Sequence, residues 1–191
     1  GVTVNGTAVT MRYTLHSGDI VSVALPEEKS ENVKPLNIPI KVLYEDEYIL
    51  LVDKPKNMPT HPSRANSLPT LAEAVAYYVG TPFVFRAVNR LDRDTSGIVL
   101  IAKNQFAASK LSEDMKAGKF EKYYTALLTR APQERCGIID APIAREKEGS
   151  ILRVVRDDGK RAITEYEITD IYDDGRARAK IRLHTGRTHQ I

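Results

Sequence analysis

The fold is organised around the stretch Arg-Leu-Asp-Arg-Asp-Thr-Ser-Gly-Ile-Val-Leu-Ile-Ala at residues 90–102. Its first eight residues place two carboxylates, two guanidinium groups and two hydroxyls in a turn that ends at Gly97. The five apolar residues that follow, 98–102, predict a buried β-strand. Charged side chains on a turn that a rigid strand holds in place are well suited to catalysis. We therefore expect a functional site here, with Asp92 and Asp94 both open as candidates.

Composition limits the class of protein. The 191 residues, 42% hydrophobic and 28% charged, are typical of one soluble globular domain, with or without a small appendage. No apolar stretch reaches the length of a bilayer span, and no charged-then-apolar leader opens the chain, so we expect a cytoplasmic protein with no membrane partner. The single cysteine, Cys136, excludes an internal disulfide and a multi-cysteine metal site. A net charge of +3 permits a polyanionic partner without requiring one.

The ends of the sequence indicate a piece of a longer protein. The chain begins at Gly1 without an initiator methionine and stops at Ile191, directly after a motif. We therefore expect a catalytic region that is incomplete at its C-terminal end.

Three regions follow one another along the chain. Residues 1–26 predict a small β-rich module, in which Asn5-Gly6 forms a two-residue hairpin turn. Residues 27–39, rich in Glu, Lys, Ser, Asn and Pro, predict a linker. Residues 40–191 then form the main domain.

The main domain is predicted to be α+β, with a mostly antiparallel mixed β-sheet flanked by a few helices. Helical spacing of apolar residues predicts one helix at 71–78, capped by Thr70, and a second at 105–115. Alternation and apolar runs predict strands at 42–44, 48–52, 98–102, 123–128, 151–155, 162–171 and 176–183.

The last predicted strand carries a basic stripe. Alternate residues on one face are cationic, namely Arg176, Arg178, Lys180 and Arg182. Such a stripe is either a solvated strand face or an RNA-binding surface.

Four motifs in series resemble those of the RluA-type RNA pseudouridine synthases. Arg90-Leu91-Asp92 with Thr95-Ser96-Gly97 resembles the family signature, and Lys54-Pro55 with His61-Pro62 resembles its early segment. The other two matches are 122–126, Lys-Tyr-Tyr-Thr-Ala, and 186–191, Gly-Arg-Thr-His-Gln-Ile. The N-terminal hairpin resembles the trailing half of an S-four-type RNA-binding module. Together these matches cover nearly the whole chain.

The resemblance implies a pseudouridine synthase fold and a role for each of four residues. Asp92 is the expected nucleophile, which either attacks C1′ of the uridine or acts as the base that starts glycal formation. Tyr124 is expected to stack on the target base, Arg187 to accompany the aspartate, and Arg90 to fill the RNA stack after the uridine has flipped out. Arg93 and Asp94 are then interpreted as a surface ion pair.

The implied reaction isomerises uridine without net redox change, so the resemblance implies no cofactor and no metal. The implied partner is RNA, with ribosomal RNA of the large subunit as the first expectation and transfer RNA as the second, and we expect a monomer. One departure is Asn89, which stands where the family often has a histidine and cannot titrate. The alternative is a non-catalytic RNA-binding or ribosome-assembly protein on the same scaffold.

Overall fold

The computed structural model describes residues 1–24, 33–63, 68–80 and 82–191. Residues 25 and 26 of the predicted β-rich module and residues 27–32 of the predicted linker lie outside the described residues. The chain divides into two units, Gly1–Ala108 and Ser109–Ile191. This division falls inside the predicted main domain, and the predicted boundaries of module, linker and main domain stay predictions.

A three-stranded antiparallel sheet opens the first unit. Its strands are β1 (Val2–Val4), β2 (Thr7–Ala8) and β3 (Val21–Val23), in the order β2-β1-β3. The predicted hairpin turn is confirmed, because Asn5 and Gly6 have φ angles of 51° and 80°, which a two-residue turn of this type requires. The S-four-type identity of this segment stays a prediction.

The larger sheet of the first unit has four antiparallel strands in the order β4-β5-β7-β6. The elements of this part of the chain are β4 (Lys41–Glu45), β5 (Ile49–Lys54), α1 (Leu71–Val79), β6 (Arg86–Ala87) and β7 (Gly97–Ala102).

The helix α1 begins where the sequence predicts. Thr70 is its N-cap, and its side chain accepts a hydrogen bond from the backbone N–H of Glu73, while the Glu73 carboxylate accepts one from the backbone N–H of Thr70. This reciprocal pair is a capping box, which satisfies donors that a helix start leaves without partners. The fully buried residues of the helix include Leu71 and Val75.

The central strands β5 and β7 form the core of this sheet. Leu50 and Val52 of β5, with Val99 and Ile101 of β7, have no exposed surface. The prediction that the whole run 98–102 is buried is wrong for Ile98, whose exposure is 57%. Successive side chains of a strand point to opposite faces, and only one face of β7 is covered at this position.

The second unit contains a four-stranded antiparallel sheet in the order β8-β13-β12-β9 and a separate two-stranded hairpin, β10-β11. The helix α2 (Gln105–Lys116) precedes them and contains the division between the units. The strands are β8 (Tyr123–Leu128), β9 (Cys136–Asp140), β10 (Ile143–Arg145), β11 (Arg153–Val155), β12 (Ile163–Ile171) and β13 (Ala177–Leu183).

One face of this second sheet forms the core of its unit. Its buried members lie on β12 and β13, and partly buried side chains from β8, including Tyr124, pack against them. The buried residues of this core cluster are Ile168, Ala177, Ala179, Ile181 and Leu183.

The α+β class is confirmed, and the strand pairs among the described residues are antiparallel. The short strands β6, β9 and β10 are not predicted by the sequence pattern. Neither described helix is long and apolar enough to cross a membrane.

Candidate active site

Asp92 lies on an exposed loop between β6 and β7, directly after Leu91, whose side chain is buried. The loop turns tightly, because the backbone N–H of Thr95 donates to the carbonyl of Asp92 at 3.1 Å. The turn enters β7 at Gly97 with a φ of 129°, a backbone conformation that side-chain-bearing residues rarely adopt. The loop therefore presents a carboxylate to solvent from a sharply defined backbone.

Thr60 holds the backbone on the N-terminal side of Asp92. Its Oγ1 donates a hydrogen bond to the Leu91 carbonyl at 2.8 Å and accepts one from the Leu91 N–H at 3.3 Å. Thr60 is itself buried, with 5% exposure. One hydroxyl thus satisfies both backbone polar groups of the residue that precedes Asp92, away from competing water.

Lys54 holds the backbone on the C-terminal side of Asp92. It has no exposed surface, and its Nζ donates to the carbonyls of Pro55, Met58 and Arg93 at 2.9, 2.7 and 3.1 Å. The Arg93 carbonyl also accepts from the Met58 N–H at 3.1 Å. The two residues that flank Asp92 are therefore both tied to the segment that follows β5.

The environment of Lys54 changes the pKa of its ammonium group in two opposite ways. Burial lowers the pKa of its ammonium group, and the nearby carboxylates of Asp94 and Asp92 partly oppose this by raising the pKa. The sequence analysis assigned Lys54 no role beyond its motif. A usable signal was its position, because Leu50, Val52 and Lys54 share one face of β5 by strand alternation.

Asn89 acts as a structural bridge to β7. Its Nδ2 donates to the Ile98 carbonyl at 3.0 Å, and its Oδ1 accepts from the Leu100 N–H at 2.8 Å. The amide therefore continues the strand pairing of β6 by means of a side chain. Both ends of the Asn89 amide are used in this way, so the departure from histidine leaves a residue with a defined packing role.

Arg90 is exposed, and its charge reaches His61. Burial lowers the pKa of the His61 imidazole, and the positive charge of Arg90 lowers it further. The ring of His61 packs edge-to-face on Phe85 with 5.1 Å between centroids. A neutral, packed imidazole is the form that this environment favours.

Arg93 and Asp94 form a surface ion pair, as predicted. Arg93 Nε lies 3.0 Å from Asp94 Oδ1, and Nη2 lies 2.7 Å from Oδ2. Both side chains are more than half exposed. The hydrogen bond from Arg93 lowers the pKa of the Asp94 carboxyl, and Asp94 is occupied by this partner.

In the second unit, Tyr124 lies at the second position of β8, opposite Ile181 of β13. It is partly buried and packs against the core cluster of the second sheet. Neighbouring Tyr123 points to the other face and is 51% exposed. The packing gives the ring of Tyr124 a fixed support.

Arg187 lies in the loop that follows β13. Its Nε donates to the Arg161 carbonyl at 2.9 Å, and its backbone N–H donates to Gln190 Oε1 at 2.8 Å. The Gln190 amide is fixed in turn, because its Nε2 donates to the Ile163 carbonyl at 3.1 Å. The predicted motif at 186–191 therefore forms an ordered loop against β12.

The basic stripe of β13 alternates as the sequence predicts, with small or apolar residues on the buried face. However, carboxylates of β12 occupy the opposite positions on the same face of the sheet. The opposite pairs are Glu165 with Arg182, Glu167 with Lys180, and Asp170 with Arg178.

Two of these opposite pairs form ion pairs, with Arg178 Nη1 3.4 Å from Asp170 Oδ2 and Arg182 Nη1 3.8 Å from Glu165 Oε2. Arg182 Nη2 also lies 2.5 Å from Oε1 of Glu121, which precedes β8. Arg176, just before β13, is also paired, with its Nε 2.7 Å from an oxygen of Asp174. The strand is basic, but this face of the sheet carries mixed charge. The RNA-binding role of the stripe stays a prediction.

The structure thus places Arg90 and Asp92 in the first unit, and Tyr124, Arg187 and the stripe in the second. Among the described residues, no group of three or more His, Cys, Asp or Glu side chains is arranged to hold a metal ion.

Comparison with known proteins identifies one family. A model of the family described as RNA pseudouridylate synthase matches residues 48–191. The chain is 39% identical to the RNA pseudouridine synthase YjbO of Bacillus subtilis, over 98% of this chain and 68% of YjbO. It is 36% identical to the ribosomal large subunit pseudouridine synthase D of Xanthomonas campestris, over 98% of this chain and 57% of that protein.

A solved structure agrees with these matches. Human RNA pseudouridylate synthase domain containing 1 superposes with a TM-score of 0.64 at 26% identity, covering 80% of this chain and 62% of that one. An RNA pseudouridine synthase of Aquifex aeolicus is 38% identical over 58% of its own length. The chain therefore spans between about half and two thirds of the length of most of these relatives.

Proposed function

Because the chain belongs to the RNA pseudouridylate synthase family, we propose that its protein converts specific uridines of RNA to pseudouridine. The proposed substrate is ribosomal RNA of the large subunit, which is what the names of several relatives state for those proteins. The proposed enzyme is cytoplasmic and monomeric.

The observation that carries this proposal is the way the backbone holds Asp92. Its carboxylate is exposed, while the residues on either side are bound through Thr60 and Lys54. An exposed carboxylate on a backbone fixed at both flanks is a preorganised reactive group. The neighbouring carboxylate of Asp94 forms a surface ion pair with Arg93.

The chemistry requires a group that can act on the ribose of a uridine. The C1′–N1 bond breaks, the uracil turns, C1′ joins C5, and C5 loses its proton while N1 gains one. The carboxylate of Asp92 either attacks C1′ or removes the proton that starts glycal formation. Both routes are balanced without any oxidant or reductant.

The remaining roles follow from the chemistry of the side chains. Tyr124 offers a packed aromatic face on which a detached uracil can stack. Arg90 is an exposed guanidinium, suited to filling the gap that a flipped base leaves in an RNA stack. Arg187 supplies a positive charge for the reacting groups or for the RNA.

The test is release of tritium from RNA that carries 5-³H-uridine, with the full-length protein and RNA from cells that lack the gene. Each conversion removes the C5 hydrogen, so tritium enters the solvent. We expect release from large-subunit ribosomal RNA, and a loss of more than about 100-fold for Asp92→Asn. The matched control is Asp94→Asn, which removes a neighbouring exposed carboxylate and is expected to keep activity within about twofold.

Each other outcome is informative. Equal activity of Asp92→Asn and wild type contradicts the role of Asp92. Release from transfer RNA alone contradicts the proposed substrate. RNA binding without release from any cellular RNA supports the non-catalytic RNA-binding alternative.

A further inference from the structure

A cationic pocket of about 390 Å³ lies within the second unit, between the β10-β11 hairpin and the loop that carries Arg187. This is at the small end of the volumes typical of ligand sites. Its lining includes four cationic side chains, those of Arg145, Arg153, Lys160 and Arg187. We call it the hairpin pocket.

The charges of the hairpin pocket are not balanced by its own carboxylates. Among the described residues that line it, Asp158 is acidic, and its two oxygens accept hydrogen bonds from Arg156. Arg145 Nη1 donates to the Ser150 carbonyl at 3.3 Å, and Arg187 Nε donates to the Arg161 carbonyl at 2.9 Å. A carbonyl orients a guanidinium without neutralising it. The pocket therefore keeps a surplus of positive charge.

One guanidinium nitrogen of Arg153, a residue that lines the pocket, is buried without a partner. Among the described residues, Arg153 Nη1 is buried and makes no hydrogen bond. Buried donors are nearly always satisfied, because an unmade hydrogen bond in a site that water cannot reach is costly. This cost favours a turn of the guanidinium toward an anion in the pocket.

A fifth cation adds to the positive potential. Lys122 is partly buried, and burial together with the charge of Arg187 lowers the pKa of its ammonium group. Its Nζ lies 3.5 Å from the position that a Cβ on Gly186 would take, so it packs directly against the pocket loop. Like charges held this closely are typical of a site that receives an anion.

The backbone also shapes the pocket. A Cβ on Gly159 would lie 2.6 Å from the carbonyl carbon of Ile143 and 2.8 Å from its nitrogen. Only glycine allows this close approach, which brings Lys160 beside β10, where both its backbone groups pair with Ile143. The position of Lys160 is thus determined by the hairpin rather than by a flexible surface loop.

We propose that the hairpin pocket binds a backbone phosphate of the RNA substrate, with Arg153 and Lys160 as its main ligands. The proposal rests on the proposed function, because it takes RNA as the substrate. This phosphate contact is independent of RNA sequence and lies away from the β13 stripe. In that stripe, carboxylates of β12 already lie opposite the cations. A phosphate is a strong acceptor with a charge that suits this surplus.

The test measures binding of fluorescent oligouridylate to the full-length protein over a range of KCl concentrations. Each lost phosphate contact reduces the slope of log affinity against log salt by about 0.7 for a single strand. We expect Arg153→Gln and Lys160→Gln each to weaken binding about tenfold at low salt and to reduce the slope by this amount. In the tritium assay, KM is expected to rise while kcat is unchanged.

The matched control is Arg135→Gln, which removes one exposed positive charge of the same unit outside the pocket. It is expected to leave affinity within about twofold of wild type and the salt slope unchanged. Equal effects of the control and the pocket variants overturn the proposal, as does a salt slope that is unchanged in both pocket variants. Binding of oligouridylate needs no turnover, so the two proposals can fail separately. If the protein releases no tritium but its pocket variants still lose affinity, the proposed function is contradicted and the phosphate site is retained.

Discussion

The exchange of Thr60 for valine tests the idea that buried hydrogen bonds position Asp92. Valine has nearly the same shape as threonine but lacks the hydroxyl. It would leave the N–H and the carbonyl of Leu91 buried without partners. The carbonyl loses a 2.8 Å bond and the N–H a longer one of 3.3 Å. At about 1–3 kcal/mol for each unsatisfied group, the two groups together give about 2–6 kcal/mol, and because the second bond is long we expect a loss at the lower end, about 2–3 kcal/mol.

Two measurements follow from this expectation. Urea unfolding gives the loss in free energy, and tritium release at saturating RNA gives kcat at a temperature where the variant is folded. We expect kcat to fall about tenfold, because a small shift of a reacting group has large kinetic effects. The control is Thr60→Ser, which keeps the hydroxyl and removes one methyl, at a cost of about 0.8 kcal/mol.

Two results would refute the reasoning. If the valine variant unfolds within about 0.5 kcal/mol of the serine variant, the hydroxyl is not an anchor of the loop. If the valine variant is destabilised but keeps full kcat, Thr60 supports the fold without positioning Asp92.

Three further predictions concern other parts of the molecule. Lys54→Met removes the ammonium that bonds three carbonyls, and because those of Pro55 and Met58 lose this donor at about 1–3 kcal/mol each, the protein is expected to be destabilised by about 2–6 kcal/mol in urea unfolding. The pKa of His61 is lowered in the folded state, so the imidazole binds its proton more tightly in the unfolded state. The free energy of unfolding should therefore fall as the pH drops through and below the ordinary histidine pKa. Urea midpoints measured from about pH 7.5 to 5 should show this dependence for wild type and a flatter one for His61→Gln. Gly159→Ala should distort the hairpin, because a methyl 2.6 Å from the Ile143 backbone cannot be accommodated, and oligouridylate affinity should fall about as far as it does for Lys160→Gln.

Much of the fold could be predicted from local pattern. The alternation of β13, the cap at Thr70 and the turn at Asn5-Gly6 all depend on neighbouring residues, and all are confirmed. Short strands such as β6 carry too few residues for a period to show. They form because a longer neighbour, here β7, offers an edge.

The anchors of the site were harder to predict. A lysine is almost never fully buried, so residue type alone does not mark Lys54 as the support of a distant loop. The charge balance of β13 could not be predicted from composition alone. That Glu167 and Asp170 lie opposite its cations follows only from the register of the β12-β13 pairing. Both omissions concern contacts between residues that are apart in sequence.

The contacts that hold Asp92 also determine when the loop becomes ordered during folding. Thr60 bonds a residue 31 positions later, and Lys54 bonds one 39 positions later. During synthesis, residues 54–60 therefore leave the ribosome before their partners do, and domains fold as units once their segments are complete. The bonds that order the loop require β7 to be present beside β5. A nascent chain therefore carries no preorganised Asp92 until residues 54–102 have emerged, and Tyr124 and Arg187 of the second unit emerge later still.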